Sequence, residues 1–92
     1  MTVTLTGTLT CKTEAEAARV RSALPEHIKL TRAEPGCLSF FVEPTDDPFI
    51  WQVDEEFVDA AAFEAHQTRA KASHWAAETK GIPRDFKITG LT

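Results

Sequence analysis

Glu55 and His66 are the two side chains whose types and spacing best suit proton-transfer chemistry. Glu55 belongs to the alternating run Trp51, Val53, Glu55 and Phe57, and such alternation puts all four on one face of a strand. Three of the four are large and apolar, so that face is expected to meet the core, where a carboxylate is costly unless paired. His66 stands seven residues beyond Asp59, a residue suited to starting a helix, and seven helical residues climb ~10 Å. Glu55 lies ~7 Å back from the end of the strand at Phe57. A helix returning over the sheet therefore brings the imidazole nearly level with the carboxylate, and a Glu55–His66 contact is predicted. An imidazole held by a carboxylate has a fixed tautomer and a raised pKa, which suits removing a proton from a phenolic substrate. The same contact also serves as a polar clasp between helix and sheet, and the residue types leave both readings open.

Trp51, Phe40 and Trp75 are candidate walls of an apolar pocket between sheet and helices, although large aromatics serve equally as core. Phe63 and His74 share the predicted helix stripe of His66 and join the candidate substrate-binding set. Arg69, Ser73 and Arg84 are candidates for meeting an anionic or carbonyl group at the pocket mouth. His74 is eight residues from His66, ~12 Å along an unbroken helix, too far for both to hold one metal ion. With strict alternation Cys11 and Cys37 fall on opposite faces of the sheet. Neither a compact Cys/His metal group nor a disulfide is therefore expected.

The elements that must position these residues are legible in order. Residues 2–11 alternate threonine with Val3, Leu5, Gly7, Leu9 and Cys11, a strand with one apolar face. Thr13 and Glu16 have the spacing of a capping box, so a helix starts at Glu14. Ala17, Val20, Leu24, Ile28 and Thr31 form its apolar stripe, with a kink or restart expected at Pro25 and an end before Pro35-Gly36. Cys37 to Glu43 and Phe49 to Phe57 read as a hairpin around the turn-forming residues 44–48. A second helix follows Asp59, carrying Phe63, His66, Ala70, His74 and Ala77, with a break expected near Thr68 and a stop at Lys80-Gly81. Arg84 to Leu91 closes the chain as a strand with Phe86 and Ile88 inward. The predicted order βαββαβ is that of a ferredoxin-like α+β domain, an antiparallel sheet with helices on one face, spanning residues 1–92 as one unit.

Composition narrows the function. A net charge of −4 with no run of Lys or Arg argues against binding nucleic acid, which needs clustered positive charge. No apolar run approaches the ~20 residues of a membrane helix, and the N-terminus has no basic, signal-like region. Two cysteines read as free thiols in a reducing compartment, which points to the cytoplasm. A chain of 92 residues leaves a small core, so association with a second copy is expected, through the threonine-rich face of the first strand.

Glu34-Pro35-Gly36-Cys37-Leu38, Glu55 ahead of the aromatic Phe57, and AAAFEAH from Ala60 to His66 together resemble the antibiotic biosynthesis monooxygenase family, over Thr31 to Ile88. The resemblance implies a dimeric α+β barrel in which two ferredoxin-like sheets pack face to face. It also implies that dioxygen oxidises a phenol-like or quinol-like substrate without metal, flavin or other cofactor. His66 would then be the base and Glu55 its orienting partner. The family also includes isomerases and haem-degrading enzymes. The absence of Asn and Tyr from the chain limits any mechanism to His, Glu, Trp or water. Two further readings remain beside the monooxygenase: a non-enzymatic ligand-binding or regulatory dimer, and an isomerase shuttling protons with the same pair.

Overall fold

The alternating N-terminus forms β1 (Val3–Thr10) in the computed structural model, which describes residues 1–91. It is followed by α1 (Glu14–Arg32), β2 (Cys37–Pro44), β3 (Ile50–Phe57), α2 (Ala60–Lys71), α3 (His74–Glu78) and β4 (Arg84–Thr89). The sheet order is β2-β3-β1-β4, with every neighbouring pair antiparallel, as a ferredoxin-like α+β fold requires. Val3, Leu5 and Leu9 face the helices and are buried, while Thr6 on the opposite face is exposed. No helix among the described residues is long and apolar enough to cross a membrane.

The caps form as their residue types dictate. Thr13 accepts a hydrogen bond from the Glu16 N–H (3.1 Å), and the Glu16 carboxylate accepts one from the Lys12 N–H (2.6 Å). Asp59 accepts from the Ala62 N–H (2.8 Å) and starts α2. Of the kink or restart expected at Pro25, the restart does not occur: α1 runs through as one helix. Loss of the backbone donor there is offset by burial on both sides, with Ala23 and Leu24 before it and His27 and Thr31 after it. His27 takes a full place on the stripe and Ile28 is only half-buried.

Three further differences bear on the site. The second helix breaks after Lys71 rather than near Thr68, and Ser73 caps the new turn by accepting from the Ala76 N–H (3.2 Å). That break turns Trp75 inward and leaves His74 and Ala77 exposed, so neither continues the His66 stripe. A bulge between Cys37 and Ser39 shifts the parity of β2, so that Cys37 lies opposite Phe57 while Phe40 lies opposite Glu55. Cys37 therefore shares the core face with Cys11, not the opposite face. The two thiols are free and lie at opposite ends of the sheet, separated by a strand length of ~20 Å. Ile88 occupies the inward row of β4 opposite Leu5, yet it is 40% exposed because β4 is an edge strand.

Between α1 and β2 the chain passes close under α2. The Gly36 carbonyl accepts from the Val58 N–H (2.8 Å), and any Cβ added at Gly36 would overlap the Ala62 methyl group. Only glycine lets this loop, and Glu34 within it, sit against α2. Gly36→Ala is expected to destabilise the fold by ~1–3 kcal/mol in urea denaturation, the usual range for overpacking. Unchanged stability would contradict the close approach of loop and helix.

Candidate functional site

His66 is 3% exposed, with its ring against Phe57 (centroids 4.9 Å apart) and near Phe40 (5.9 Å). Its Nδ1 lies 2.8 Å from Glu34 Oε1. A carboxylate only accepts, so Nδ1 carries the proton and Nε2 is left with its lone pair. Glu34 is fixed in turn by Arg69, whose Nε donates to Oε2 (2.9 Å) while another guanidinium nitrogen donates to Thr31 Oγ1 (2.8 Å). On the far side of the ring, Nε2 is 3.7 Å from Glu55 Oε1, beyond hydrogen-bond distance. Helix and sheet thus bring Glu55 and His66 together as the spacing predicts, but the bonded partner of the imidazole is Glu34. Glu55 Oε1 is buried with no hydrogen-bond partner.

Burial governs the protonation of Glu55, His66 and His27. It pushes the Glu55 carboxyl up to about 7, with the negative charge of Glu34 adding to the effect. His66 is held below its ordinary value, because burial outweighs the hydrogen bond and charge of Glu34, and Arg69 lowers it further. The raised imidazole pKa expected from sequence is therefore replaced by a depressed one. His27 is pushed down to about 3 by burial, with the positive charges of Arg69 and Arg84 adding to the effect, so it stays neutral. Its ring stacks on Trp75 (centroids 4.7 Å apart, planes 4° apart), and its Nδ1 has no hydrogen-bond partner.

These groups face a cavity of about 340 Å³ between sheet and helices, walled by Leu5, Leu9, Phe40, Val53 and Trp75. Glu55, His66 and His27 supply polar atoms to its wall, and Arg84 from β4 joins them. Arg84 donates to the Thr79 and Ile82 carbonyls and to Thr79 Oγ1. Of the candidate substrate-binding residues, Phe40 and Trp75 line the cavity. Trp51 and Phe63 are buried in the core outside its wall, because Trp51 lies at the far end of β3 and Phe63 packs on Phe57. Arg69 is turned toward Glu34 and Thr31, Ser73 is occupied as a helix cap, and His74 is exposed, so none of these three lines the cavity. Among the described residues no group of three or more His, Cys, Asp or Glu side chains is arranged to hold a metal ion.

Two site residues escaped the sequence reading. His27 sits three residues after Leu24 and four before Thr31, so the α1 periodicity already placed it on the buried stripe. Glu34 falls within the Glu-Pro-Gly run, but its link to His66 depends on how that turn folds under α2, which no local spacing reveals.

A family model described as antibiotic biosynthesis monooxygenase matches residues 2–78. The chain belongs to this family. No curated protein matches it significantly. Among solved structures, a candidate antibiotic biosynthesis monooxygenase from Nitrosomonas europaea is 24% identical, with a TM-score of 0.81 over 98% of this chain and 97% of that one. A candidate antibiotic biosynthesis monooxygenase from Deinococcus radiodurans is 27% identical, with a TM-score of 0.74 over 97% and 88%. SnoaB from Streptomyces nogalater, a cofactor-independent oxygenase, has the same fold at 13% identity, with a TM-score of 0.79 over 99% and 93%. Against this antibiotic biosynthesis monooxygenase fold, the polar residues of the cavity are the features that bear on activity.

The raised Glu55 pKa makes a stability prediction. Between pH 4.5, where an ordinary glutamate ionises, and about 7, the unfolded chain has lost this proton while the folded chain retains it. Glu55 therefore favours folding below that window, and its contribution is lost as pH rises through it. Buried His27, over pH 3–6.5, and buried His66, below its ordinary value, act in the opposite direction, so the Glu55 effect is isolated by comparison with Glu55→Gln. Relative to wild type, that variant is expected to gain ~2–3 kcal/mol in urea denaturation between pH 4.5 and pH 8. A difference that does not vary with pH would mean an ordinary Glu55 pKa.

Proposed function

We propose that this protein oxidises a small aromatic, quinol-type substrate with dioxygen, and that Glu55 takes the hydroxyl proton of the substrate with neutral His66 beside it. The observation carrying this reading is the unpartnered Glu55 oxygen, held at a pKa of about 7 in the wall of an apolar cavity. A base is most effective when its pKa lies near the working pH, and the low-dielectric surroundings sharpen the proton transfer. Removing the proton leaves an electron-rich anion that can give electrons to dioxygen. One oxygen atom then enters the substrate and the other leaves as water, with the substrate supplying the electrons for both. This assignment exchanges the roles expected from sequence, since the depressed basicity of His66 and its committed Nδ1 favour Glu55 as the first acceptor. The flat walls of Phe40 and Trp75 suit a planar ring. Family membership and the likeness to SnoaB support the reaction class.

The same proposal includes a homodimer formed through the outer face of the sheet, which no helix covers. Thr6 Oγ1 already donates to Asp54 (2.7 Å), and the Thr4 and Thr89 hydroxyls bond each other, so this face can be buried with its hydroxyls satisfied. Phe41, 46% exposed on β2, extends it with apolar surface. Sedimentation at micromolar concentration is expected to show two subunits; a monomer would count against the interface.

An oxygen electrode tests the reaction directly. With a panel of hydroquinones and naphthols, the wild type is expected to consume dioxygen in step with at least one of them. Glu55→Gln should fold and lose ~10²–10⁴ in kcat, the usual effect of removing a general base. Oxygen-independent isomerisation, or full turnover by Glu55→Gln, would overturn the assignment.

A further inference from the structure

We propose that Glu34, His66 and Glu55 form a proton relay through the helix layer, joining the cavity to a second cleft on the Glu34 side of the imidazole. It rests on the reading of Glu55 as the base only for where the proton originates. His66 lines both spaces: the cavity that contains Glu55, and a cleft of about 310 Å³ between the Glu34-Pro35-Gly36 turn and α2. The walls of that cleft include the exposed residues Pro35, Ala61 and Ala65, and the Glu34 side chain is itself 18% exposed. The imidazole is thus the partition between the two, with one nitrogen directed at a carboxylate on each side: Nδ1 at Glu34 (2.8 Å) and Nε2 at Glu55 (3.7 Å). A clasp between helix and sheet needs one such carboxylate and gives no reason for the second to be left unpartnered.

The transfers balance. The substrate O–H bond breaks as a proton joins a Glu55 oxygen. Closing the gap to Nε2 by ~1 Å, within the reach of a side-chain rotation, brings the new carboxylic O–H to hydrogen-bond distance. That proton then passes to Nε2 while the Nδ1 proton passes to Glu34, so the imidazole is neutral before and after and changes only its tautomer. Glu34 releases its proton to water in the cleft. Release of the second oxygen atom as water takes two protons: the reverse passage returns the first and restores the Nδ1–H tautomer, and the substrate gives up its remaining hydrogen as the second. The ground state is arranged for this: His66 is neutral, and Glu55 takes up and releases its proton near neutral pH. The other charged or titratable groups around the path are Arg69 on α2, which holds Glu34; Lys71 at the end of α2, on the cavity wall; His27 on α1, which stays neutral; Cys37 on β2, whose thiol is pushed up by burial and by the charges of Glu34 and Glu55; and Arg84 on β4. Glu34 touches no substrate and is a positioning residue acting through His66.

Hydrogen exchange of the ring N–H protons, followed by NMR on protein labelled with ¹⁵N-histidine, tests the relay without any turnover. In the wild type the His66 proton should exchange with water faster than that of His27, which lines the same cavity with no carboxylate partner at Nδ1. Glu34→Gln keeps the shape and an acceptor but cannot take up a proton, and should slow His66 exchange ~10²-fold, the lower end for a lost proton-transfer group. Where a quinol is turned over, the same variant should lower kcat with KM unchanged and flatten the pH profile. Formate admitted to the cleft should restore the rate of Glu34→Ala. Exchange at His66 no faster than at His27, or unaffected by Glu34→Gln, would overturn the relay even if the enzyme is active. A protein that oxidises no quinol but shows Glu34-dependent exchange would keep the relay and refute the oxidation.

Discussion

Glu34, His66 and Glu55 are packed where the helices meet the sheet, and removing three such side chains from water constrains everything around them. An isolated buried charge is strongly unfavourable, so each group is either paired or held neutral. Glu34 is held by Arg69 and by His66, His66 stays uncharged, and Glu55 retains a proton to about pH 7. The arrangement pairs both oxygens of Glu34 and leaves the Glu55 side open. That asymmetry separates a structural half, which fastens the turn after α1 to α2, from a half that faces an empty, mostly apolar space.

The rest of the fold maintains the asymmetry. The β2 bulge puts Phe40 opposite Glu55, so the carboxylate is flanked by an aromatic wall instead of solvent. The break between α2 and α3 turns Trp75 inward to stack on His27 and form an aromatic wall on the helix side of the cavity. Gly36 lets the Glu34 turn sit against α2, bringing a carboxylate to Nδ1 from a segment 32 residues away in sequence. Each device is local, and together they make a mostly apolar cavity with Glu55, His66 and His27 in its wall.

Sequence periodicity was enough to place β1, β3 and both helix starts, because alternation and capping are local properties. It also brought Glu55 and His66 to the same level, since strand and helix rises are fixed. What it did not give was the identity of the bonded partner. The Glu34–His66 bond depends on a turn folding beneath a helix, and the parity of β2 depends on a bulge that strict alternation cannot anticipate. The expectation of a raised histidine pKa failed for a physical reason: burial between Phe40 and Phe57 outweighs the attraction of the carboxylate. His74 was misplaced because a capping serine at position 73 resets the helical phase.

The proposed chemistry turns on Glu55 being a cavity-facing acid–base group tuned by burial to the neutral range. Its most direct test is the ¹³C chemical shift of the Glu55 side-chain carboxyl carbon, followed from acid to mildly alkaline pH in the intact protein. A midpoint of about 7 is expected. A midpoint in the ordinary carboxylate range, near 4.5, would contradict it and leave Glu55 without the protonation chemistry assigned to it.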